Sequence, residues 1–398
     1  MLDYQEALRI VLSHIRPLPI GTMSLGDALF RTLAEDIRSD IDSPPFDRSV
    51  MDGYAVRAAD TATAPTPLRV VGQIGAGASY DVTLKAGEAV QINTGAPIPA
   101  GADAVVRSED TEVVDGGAVL VRKSVKAGAA VTRRGEYASA GAVVLGKGTV
   151  LTPVNLAAAA SAGAAMVRVH PAPRVSILCT GDELVEPSVV PRGPQIRNSN
   201  RYLLEGLFRA EHCEVLRVEN AGDDRATIRS CIAAGLRSDL LCITGGVSVG
   251  KFDFVPECLK ELGATLRVHK VSIKPGRPTI FATMPDGRPV FALPGNPGSA
   301  LVGFVLLVWP ALGVMQSREV DSRFIPARLV GELKETGIRR AFLPGRATVG
   351  EDGGWEVSPL PWGGSGDAIG LAHASALIMR APNSPAVGSG MMVEMVVF

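Results

Sequence analysis

The stretch "LCITGGVSVGKFDF", Leu241 to Phe254, joins a short apolar run to a loop rich in glycine. An apolar run of this length that ends at glycines is typical of a buried strand in a parallel sheet. Because glycine has no Cβ, the backbone N–H groups of such a loop can approach an anion closely. The stretch therefore predicts a strand that opens into a ligand-binding loop, which presents Lys251 and Asp253.

Similar apolar runs recur on both sides of this stretch and alternate with helical patterns. Strands are predicted at 175–179, 214–218, 240–244, 265–268 and 290–293, and helices near 201–209, 226–236, 256–262 and 297–312. This alternation predicts crossover helices and a mostly parallel, three-layer α/β domain over residues 173–318. Ligands bind beyond the carboxyl ends of the strands in such sheets.

The preceding part of the chain has a different pattern. Helical periodicity at Tyr4–Ile15, with Asp3 as N-cap, is followed by a second predicted helix at 25–33. Helical signal then returns at "TPVNLAAAASAG", where Thr152 is placed as the N-cap and Pro153 as the first helical residue. We expect a discontinuous, helical N-terminal domain made of residues 1–44 and 141–172.

Two further segments read as β structure. Residues 45–140 contain short strands with glycine-rich turns, including a hairpin that turns at Asp115-Gly116-Gly117, and they predict an all-β insertion. Residues 319–398 again show short strands and turns, which predicts a small C-terminal β-domain.

Composition excludes several classes of function. The chain has 398 residues, and its 40 basic and 41 acidic side chains nearly cancel, so neither a nucleic acid nor a membrane is an expected partner. Five scattered cysteines without a CxxC pair fit a reducing compartment, and no secretory signal opens the chain. The apolar run 301–315 is too short to span a bilayer and reads as a buried helix. A cytoplasmic location is expected.

Polar residues follow each predicted strand of the α/β domain. In chain order they are Thr180 and Glu183; Asp223; Gly245, Gly246, Ser248, Lys251 and Asp253; Lys270, Lys274 and Arg277; and Pro294 in "LPGNPGSA". Carboxylates gathered at one edge repel each other unless a hard cation or the basic side chains lie among them. Carboxylate oxygens suit Mg²⁺, and the glycine loops suit phosphate, so the sequence predicts a phosphate or oxyanion site.

Each of these features also has an ordinary structural explanation. A "TGD" after a strand is often only a tight turn, Lys270 and Lys274 could line a solvated edge, and Asp223-Asp224 could simply begin a helix. Their placement at successive strand ends is what favours a site. No GxxxxGK[ST] motif, helix-opening GxGxxG, zinc-ligand spacing or Ser/His/Asp set is recognisable.

Eight phrases in order resemble one family, the molybdopterin molybdotransferases of the MoeA type, which are similar to the E domain of gephyrin. They are "PPFDRSVMDGYAV", "NTGAPIPAGADAVV", "RRGE", "TGDEL", "GDD", "TGGVSVGKFDF", "SIKPGRP" and "LPGNPGSA". The resemblance covers essentially the whole chain. It implies a four-domain subunit with a MogA-like α/β domain, in a cytoplasmic homodimer that builds the active site between subunits.

The resemblance also implies a reaction and its residues. Molybdate is inserted into adenylylated molybdopterin with Mg²⁺-dependent release of AMP. By matching position, Asp52 and Thr94 contribute from the insertion, and Glu183, Asp223 and Asp253 hold Mg²⁺ or orient water. Lys270 and Lys274 neutralise the anionic substrate, and Ser365 in "PWGGSGD" enters from the C-terminal domain. Thr180, Gly245, Gly246, Ser248, Arg277 and Pro294 are expected to contact substrate. The molybdopterin adenylyltransferase and apo-molybdoenzymes are expected protein partners.

Two positions depart from the family pattern. Tyr137 in "RRGEY" stands where a carboxylate is usual, and Arg277 stands where lysine is more usual. Tyr137 leaves open a second hypothesis, a molybdopterin-binding scaffold or a paralogue with altered activity. A third is a molybdopterin adenylyltransferase, but this chain has "GGVSVG" where those proteins carry "GGTG", and it has domains that they lack.

Overall fold

The computed structural model describes residues 1–78, 81, 83–247, 254–320 and 324–398. The chain forms two compact units, one made of Met1–Gly21 with His170–Phe398 and the other of Thr22–Val169. The boundaries of four domains predicted from the sequence remain a prediction.

The first unit contains the predicted α/β sheet. Its six strands lie in the spatial order Glu214–Ala221, Arg174–Thr180, Leu240–Thr244, Pro289–Leu293, Ile280–Thr283 and Thr265–His269. The first four are parallel, whereas Ile280–Thr283 runs antiparallel to both of its neighbours. The carboxyl ends of the four parallel strands therefore meet at one edge of the sheet.

Helices cover both faces of this sheet. Successive residues of the central strand Leu240–Thr244 enter two separate cores, Leu240 and Cys242 on one face and Leu241 and Ile243 on the other. One face is covered by Tyr4–His14, Ser199–Ala210 and the helix that begins at Pro297; the other by Arg225–Gly235 and Val255–Glu261. A strand buried on both faces reads as continuously apolar, which is why its position was predictable.

The apolar run near the end of this domain is part of a longer helical segment. It comprises the α-helix Pro297–Gly303, the π-helical turn Phe304–Val308 and the α-helix Trp309–Met315. Its 19 residues have the length and mean hydropathy of a membrane span, but 83% of the tested window is buried inside the protein. Within the described residues it forms a core helix of the α/β layers, as the sequence predicted.

The C-terminal β-domain closes on itself. Five strands follow one another around a ring: Arg340–Val349, Trp355–Pro359, Phe324–Leu329, Met392–Val397 and Ala376–Arg380, the last of which pairs back to the first. The short strand Ile273–Lys274 of the α/β domain pairs with Arg340 and Ala341 at the edge of this ring. The ring encloses its own core around Leu329, Val357 and Ile378.

The second unit contains the all-β insertion. Its six-stranded sheet has the order Ala104–Arg107, Gly53–Val56, Glu88–Ile92, Thr66–Ile74, Ala118–Val121 and Thr111–Val114. The last two strands form the predicted hairpin around Asp115–Gly117. Shorter pairings join Arg48–Ser49 to Val131–Thr132, Ile37–Arg38 to Val143–Leu145, and Met166–His170 to both Gly21–Ser24 and Thr32–Leu33.

The helices of the N-terminal part agree with the sequence in two of three cases. Asp3 caps the helix Tyr4–His14. Thr152 Oγ1 caps Pro153–Ser161 by accepting from Asn155 N, and Thr152 N donates in return to Asn155 Oδ1. The predicted helix at 25–33 is wrong. Leu25–Asp27 forms a single 3-10 turn capped by Ser24, and Thr32–Leu33 is a strand. Leu33 is buried by pairing with a strand distant in sequence, which local periodicity does not report.

Candidate active site

A cavity of about 990 Å³ opens at the carboxyl ends of the parallel strands. The strands Arg174–Thr180, Leu240–Thr244 and Pro289–Leu293 each deliver a loop to it. Six residues predicted for the site line this cavity: Thr180, Glu183, Asp223, Gly245, Gly246 and Pro294. Gly181 lines it as well. The cavity is large enough for a nucleotide-sized ligand.

Two glycines allow the loops around the cavity to approach each other. Gly245 has a φ of +92°, and a Cβ at this position would lie 2.4 Å from the carbonyl oxygen of Thr180. Gly181 has a φ of +146°, and its Cβ would lie 2.4 Å from a carboxylate oxygen of Glu183. A side chain at position 245 would force its loop away from Thr180, whereas one at position 181 would displace the flexible carboxylate of Glu183.

Asn200 ties two of these loops together. Its Nδ2 donates to Thr244 Oγ1 at 2.8 Å and to the carbonyl oxygen of Gly295 at 2.7 Å, and Thr244 Oγ1 donates to Pro294 O at 3.1 Å. Asn200 is 6% exposed, so these bonds are shielded from water. The amide is thereby fixed with Oδ1 turned away from both partners.

Two buried oxygens at the cavity have unused hydrogen-bonding capacity. Thr180 Oγ1 and Asn200 Oδ1 make no hydrogen bond to any residue in the described ranges. Buried polar atoms in native proteins are almost always satisfied by protein, water or ligand. Both residues line the cavity, so each oxygen can form a hydrogen bond with a polar group inside it.

The described lining of the cavity is acidic. Its charged members are Glu183, Asp223 and Asp367 against Arg197. Asp367 accepts hydrogen bonds from the N–H groups of Gly363 and Gly370, and these hold its pKa below the ordinary value. Glu183 and Asp223 have the oxygen donors that suit Mg²⁺. Within the described ranges, no three His, Cys, Asp or Glu side chains form a group that could hold a metal.

A loop of the C-terminal domain reaches the same cavity. Ser365 Oγ lies 3.0 Å from Asn296 Nδ2, which donates to it, and Ser365 O accepts from Gly298 N at 2.9 Å. Ser365 itself does not line the cavity, but the next residues, Gly366 and Asp367, do. The loop that contains Ser365 therefore borders the cavity, and the role of Ser365 itself stays a prediction.

The predicted basic residues lie on a neighbouring segment. Lys270 directly follows the strand Thr265–His269, and Lys274 is on the short strand that pairs with Ala341. Arg277 follows and accepts, through its carbonyl oxygen, from Val271 N at 3.0 Å. Neither lysine nor Arg277 lines the cavity, although Pro278 does. Ser248, Lys251 and Asp253 lie outside the described residues.

Asp52 and Thr94 are together in the second unit. Asp52 Oδ1 accepts from Thr94 N at 2.7 Å, from Thr94 Oγ1 at 3.1 Å and from Asn93 Nδ2 at 3.5 Å. The backbone bond from Thr94 is the main reason that the pKa of Asp52 lies below its ordinary value. The carboxylate is held ionised and in a fixed orientation.

Several cavity residues were missed from the sequence. Asn198 and Asn200 in "RNSNR" begin the helix Ser199–Ala210, and Asn198 is its N-cap. An asparagine just before a helix is a capping signal, and nothing in that signal indicates that Asn200, in the first turn, bonds inward to Thr244. Gln195, Arg197 and Asp367 were missed because they come from segments without strand or helix periodicity.

The fold and the cavity define a class of multidomain protein. Its three-layer α/β domain has a ligand cavity beyond the ends of parallel strands, and the same chain contains an all-β insertion and a closed β-domain. The chain matches the MoeA N-terminal region (domain I and II) over residues 2–163, a probable molybdopterin binding domain over 176–313, and the MoeA C-terminal region (domain IV) over 326–398. The chain belongs to the MoeA family of molybdopterin molybdenumtransferases.

Individual relatives agree along the whole chain. A molybdopterin molybdenumtransferase from Staphylococcus aureus is 34% identical over 99% of this chain and 95% of its own length. One from Haemophilus influenzae is 36% identical over 92% of this chain and 91% of its own. A crystal structure of the molybdopterin biosynthesis MoeA protein from Pyrococcus horikoshii OT3 has a TM-score of 0.81 at 30% identity, with all of both chains covered. The protein is a transferase of molybdenum cofactor biosynthesis.

Proposed function

We propose that the protein inserts molybdate into adenylylated molybdopterin in a Mg²⁺-dependent reaction that releases AMP. The observation that carries this proposal is the cavity of about 990 Å³ in which Glu183 and Asp223 flank glycine turns at the ends of parallel strands. An adenylylated pterin requires a large cleft, an anion-tolerant loop and a group that stabilises the leaving phosphate.

The charge of the lining supports a metal ion. Two unit charges of like sign about 5 Å apart repel by about 3 kcal/mol at an effective dielectric constant near 20. A phosphoanhydride entering beside Glu183 and Asp223 meets this repulsion. Mg²⁺ bound by Glu183, Asp223 and Asp253 would supply a Lewis acid that neutralises the phosphate oxygens. The carboxylates fit that ion because Mg²⁺ prefers oxygen ligands and retains several waters.

The chain's own polar groups have the complementary task of binding and orienting substrate. Thr180, Gly245, Gly246, Ser248 and Pro294 are proposed to contact it, and the unsatisfied Oγ1 of Thr180 supports this assignment. Lys270, Lys274 and Arg277 are proposed to neutralise its anionic groups, and Ser365 to close the C-terminal side. These cations lie beyond the lining of the cavity, so a large substrate that extends along the segment 270–278 would reach them.

The proposal includes a homodimer in the cytoplasm. Asp52 and Thr94 of one subunit are proposed to complete the site of the other, because the carboxylate of Asp52 is held in a fixed orientation and is exposed on its own unit. The molybdopterin adenylyltransferase that supplies substrate and the apo-molybdoenzymes that receive product are the proposed protein partners.

The test is a reconstituted reaction with purified protein, adenylylated molybdopterin, molybdate and Mg²⁺. AMP release and activation of an apo-molybdoenzyme are measured in parallel. Glu183→Gln is expected to lower both by about 100-fold or more, since it removes a charge from the metal site. Glu351→Gln, at an exposed turn of the C-terminal domain, is the matched control and retains full activity.

Three outcomes would contradict the proposal. Undiminished AMP release in the presence of a chelator would show that the reaction needs no metal ion. Full activity of Glu183→Gln would show that Glu183 has no role in the reaction. Tight binding of adenylylated molybdopterin without AMP release would favour a scaffold.

A further inference from the structure

Arg48 and Tyr137 form a pair on the surface of the insertion unit. Arg48 Nη2 donates to the phenol oxygen of Tyr137 at 3.2 Å, and the guanidinium carbon lies 5.4 Å from the centre of the ring. Arg48 is thereby held in one orientation by a partner that brings no full negative charge.

Neighbouring arginines are engaged differently. Arg133 forms an ion pair with Asp47 at 2.6 Å, and Arg134 forms one with Asp42 at 2.6 Å. Arg48 forms no ion pair with a carboxylate of the described residues. Its positive charge is oriented but not compensated, and Tyr137 beside it is 62% exposed, so the pair is open to a ligand.

The backbone places this pair next to the Asp52–Thr94 pair. The strand Arg48–Ser49 is joined to the loop that follows Thr94 by two hydrogen bonds, from Gly95 N to Ser49 O at 2.8 Å and from Ser49 N to Ala96 O at 2.9 Å. On its other side the strand pairs with Val131–Thr132. Arg48 is therefore fixed on a rigid two-sided support in the same segment as the predicted site residues.

We propose that Arg48 binds a tetrahedral oxyanion, molybdate, and that Tyr137 is the residue that positions it. A guanidinium carries five N–H donors in a planar fork, which fits two oxygens of an oxyanion at once. One donor is used by Tyr137, and this contact fixes the plane of the others. The naming of molybdate rests on the proposed function. The phosphate of AMP is a second oxyanion that the guanidinium of Arg48 would bind by the same contacts.

The identity of residue 137 provides a sharp test. An aspartate there would pair with Arg48 and neutralise it, whereas a phenol orients the guanidinium and leaves its charge available. Tyr137→Asp is therefore expected to weaken oxyanion binding as strongly as Arg48→Ala does. Tyr137→Phe keeps the ring and loses the hydrogen bond, so a smaller loss is expected.

The experiment is equilibrium dialysis of the full-length protein with molybdate alone and with AMP alone, together with the Michaelis constant for molybdate. Arg48→Ala and Tyr137→Asp are expected to raise the dissociation constant for molybdate by about 10- to 100-fold, the range for a lost charge-assisted hydrogen bond. Arg48→Lys is intermediate, Tyr137→Phe raises it about threefold, and kcat changes little. AMP binding is unchanged.

Arg122→Ala is the matched control, because Arg122 is an exposed arginine of the same unit that pairs with Glu112 at 2.7 Å. Unchanged molybdate binding by Arg48→Ala and Tyr137→Asp would overturn the inference, and so would a loss confined to AMP. If the wild-type protein binds molybdate but releases no AMP, and these variants lose molybdate binding, the inference is supported and the proposed function is contradicted.

Discussion

Asp52 Oδ1 accepts a hydrogen bond from the backbone N–H of Thr94 at 2.7 Å, across 42 residues of sequence. The two residues belong to separate motifs, "MDGY" and "NTGAP", and the strands Gly53–Val56 and Glu88–Ile92 that adjoin them are paired. Strand pairing in the insertion therefore brings the motifs together. The Thr94 hydroxyl adds a second bond at 3.1 Å.

Thr94→Val is predicted to lower kcat/KM of the proposed reaction by about 10-fold, because it removes one hydrogen bond to a charged acceptor and retains the backbone bond. Asp52→Asn is predicted to lower it by about 100-fold or more, since the carboxylate itself is lost. AMP release gives both values. Thr111→Val serves as the control, because the Thr111 hydroxyl donates to Ser108 O at 2.8 Å in the same unit. Equal activity of wild type and Thr94→Val would show that the bond from the Thr94 hydroxyl is unimportant for the role of Asp52.

The sequence predicted those parts of the fold in which apolar residues follow a regular pattern along the chain. The buried strand Leu240–Thr244 was predicted with its observed bounds, because a strand covered on both faces is continuously apolar. The strand Ile280–Thr283 was missed: it is short, follows two prolines, and is identified only by its antiparallel partners. Pairing between distant segments leaves no local signal.

The candidate site shows the same division. Thr180, Glu183, Asp223 and Gly245 were predicted because each lies at the end of a strand or within a few residues after it. All four line one cavity. Asn200 was missed because its role depends on Thr244 and Gly295, which are 44 and 95 residues away. Lys270 and Lys274 do not line the cavity, because they follow an edge strand that Ile280–Thr283 separates from the four parallel strands. Their part in the site stays a prediction.

Gly245→Ala is predicted to destabilise the first unit by about 2–5 kcal/mol. A positive φ costs a non-glycine residue about 1–2 kcal/mol, and relief of the approach to Thr180 O costs about 1–3 kcal/mol more. All three tryptophans, Trp309, Trp355 and Trp362, lie in this unit, so tryptophan fluorescence during urea unfolding reports its stability.

Gly287→Ala separates the two contributions. Gly287 has a φ of +88°, but nothing lies within 4 Å of a Cβ built on it, so only the cost of about 1–2 kcal/mol for the backbone is expected. Equal losses of stability in both variants would show that the loops after Thr180 and Thr244 can separate freely.

The stability of the insertion unit is predicted to fall in acid. Hydrogen bonds from Ala140 N and Arg134 lower the pKa of Asp42, and those from Arg134 N and Arg133 lower the pKa of Asp47, each from an ordinary value of 3.8. Because the pKa is lower in the folded state, the stabilisation is complete above pH 3.8 and is lost as the pH falls below it.

Pulsed hydrogen exchange over residues 40–52, measured by mass spectrometry in urea, follows this loss. The urea midpoint is expected to stay level from about pH 7 to pH 5 and to decline from about pH 4 to pH 2. Asp47→Asn is expected to flatten the decline, because one of the titrating groups is removed. A midpoint that falls by the same amount in wild type and variant would assign the acid sensitivity to other groups.

Asn200→Ala is predicted to destabilise the first unit by about 2 kcal/mol, since Thr244 Oγ1 and Gly295 O lose a donor inside the protein. Asn200→Asp is expected to cost more, about 3 kcal/mol, because a carboxylate oxygen then faces the carbonyl oxygen of Gly295.

Asn296→Ala is the control for this prediction. Asn296 is also an amide of the cavity wall, but it is exposed, and its bond to Ser365 Oγ at 3.0 Å competes with water. It is expected to leave the urea midpoint of tryptophan fluorescence unchanged. If Asn296→Ala destabilised the unit as much as Asn200→Ala, burial of the Asn200 amide would not be what holds the loops after Thr244 and Leu293 together.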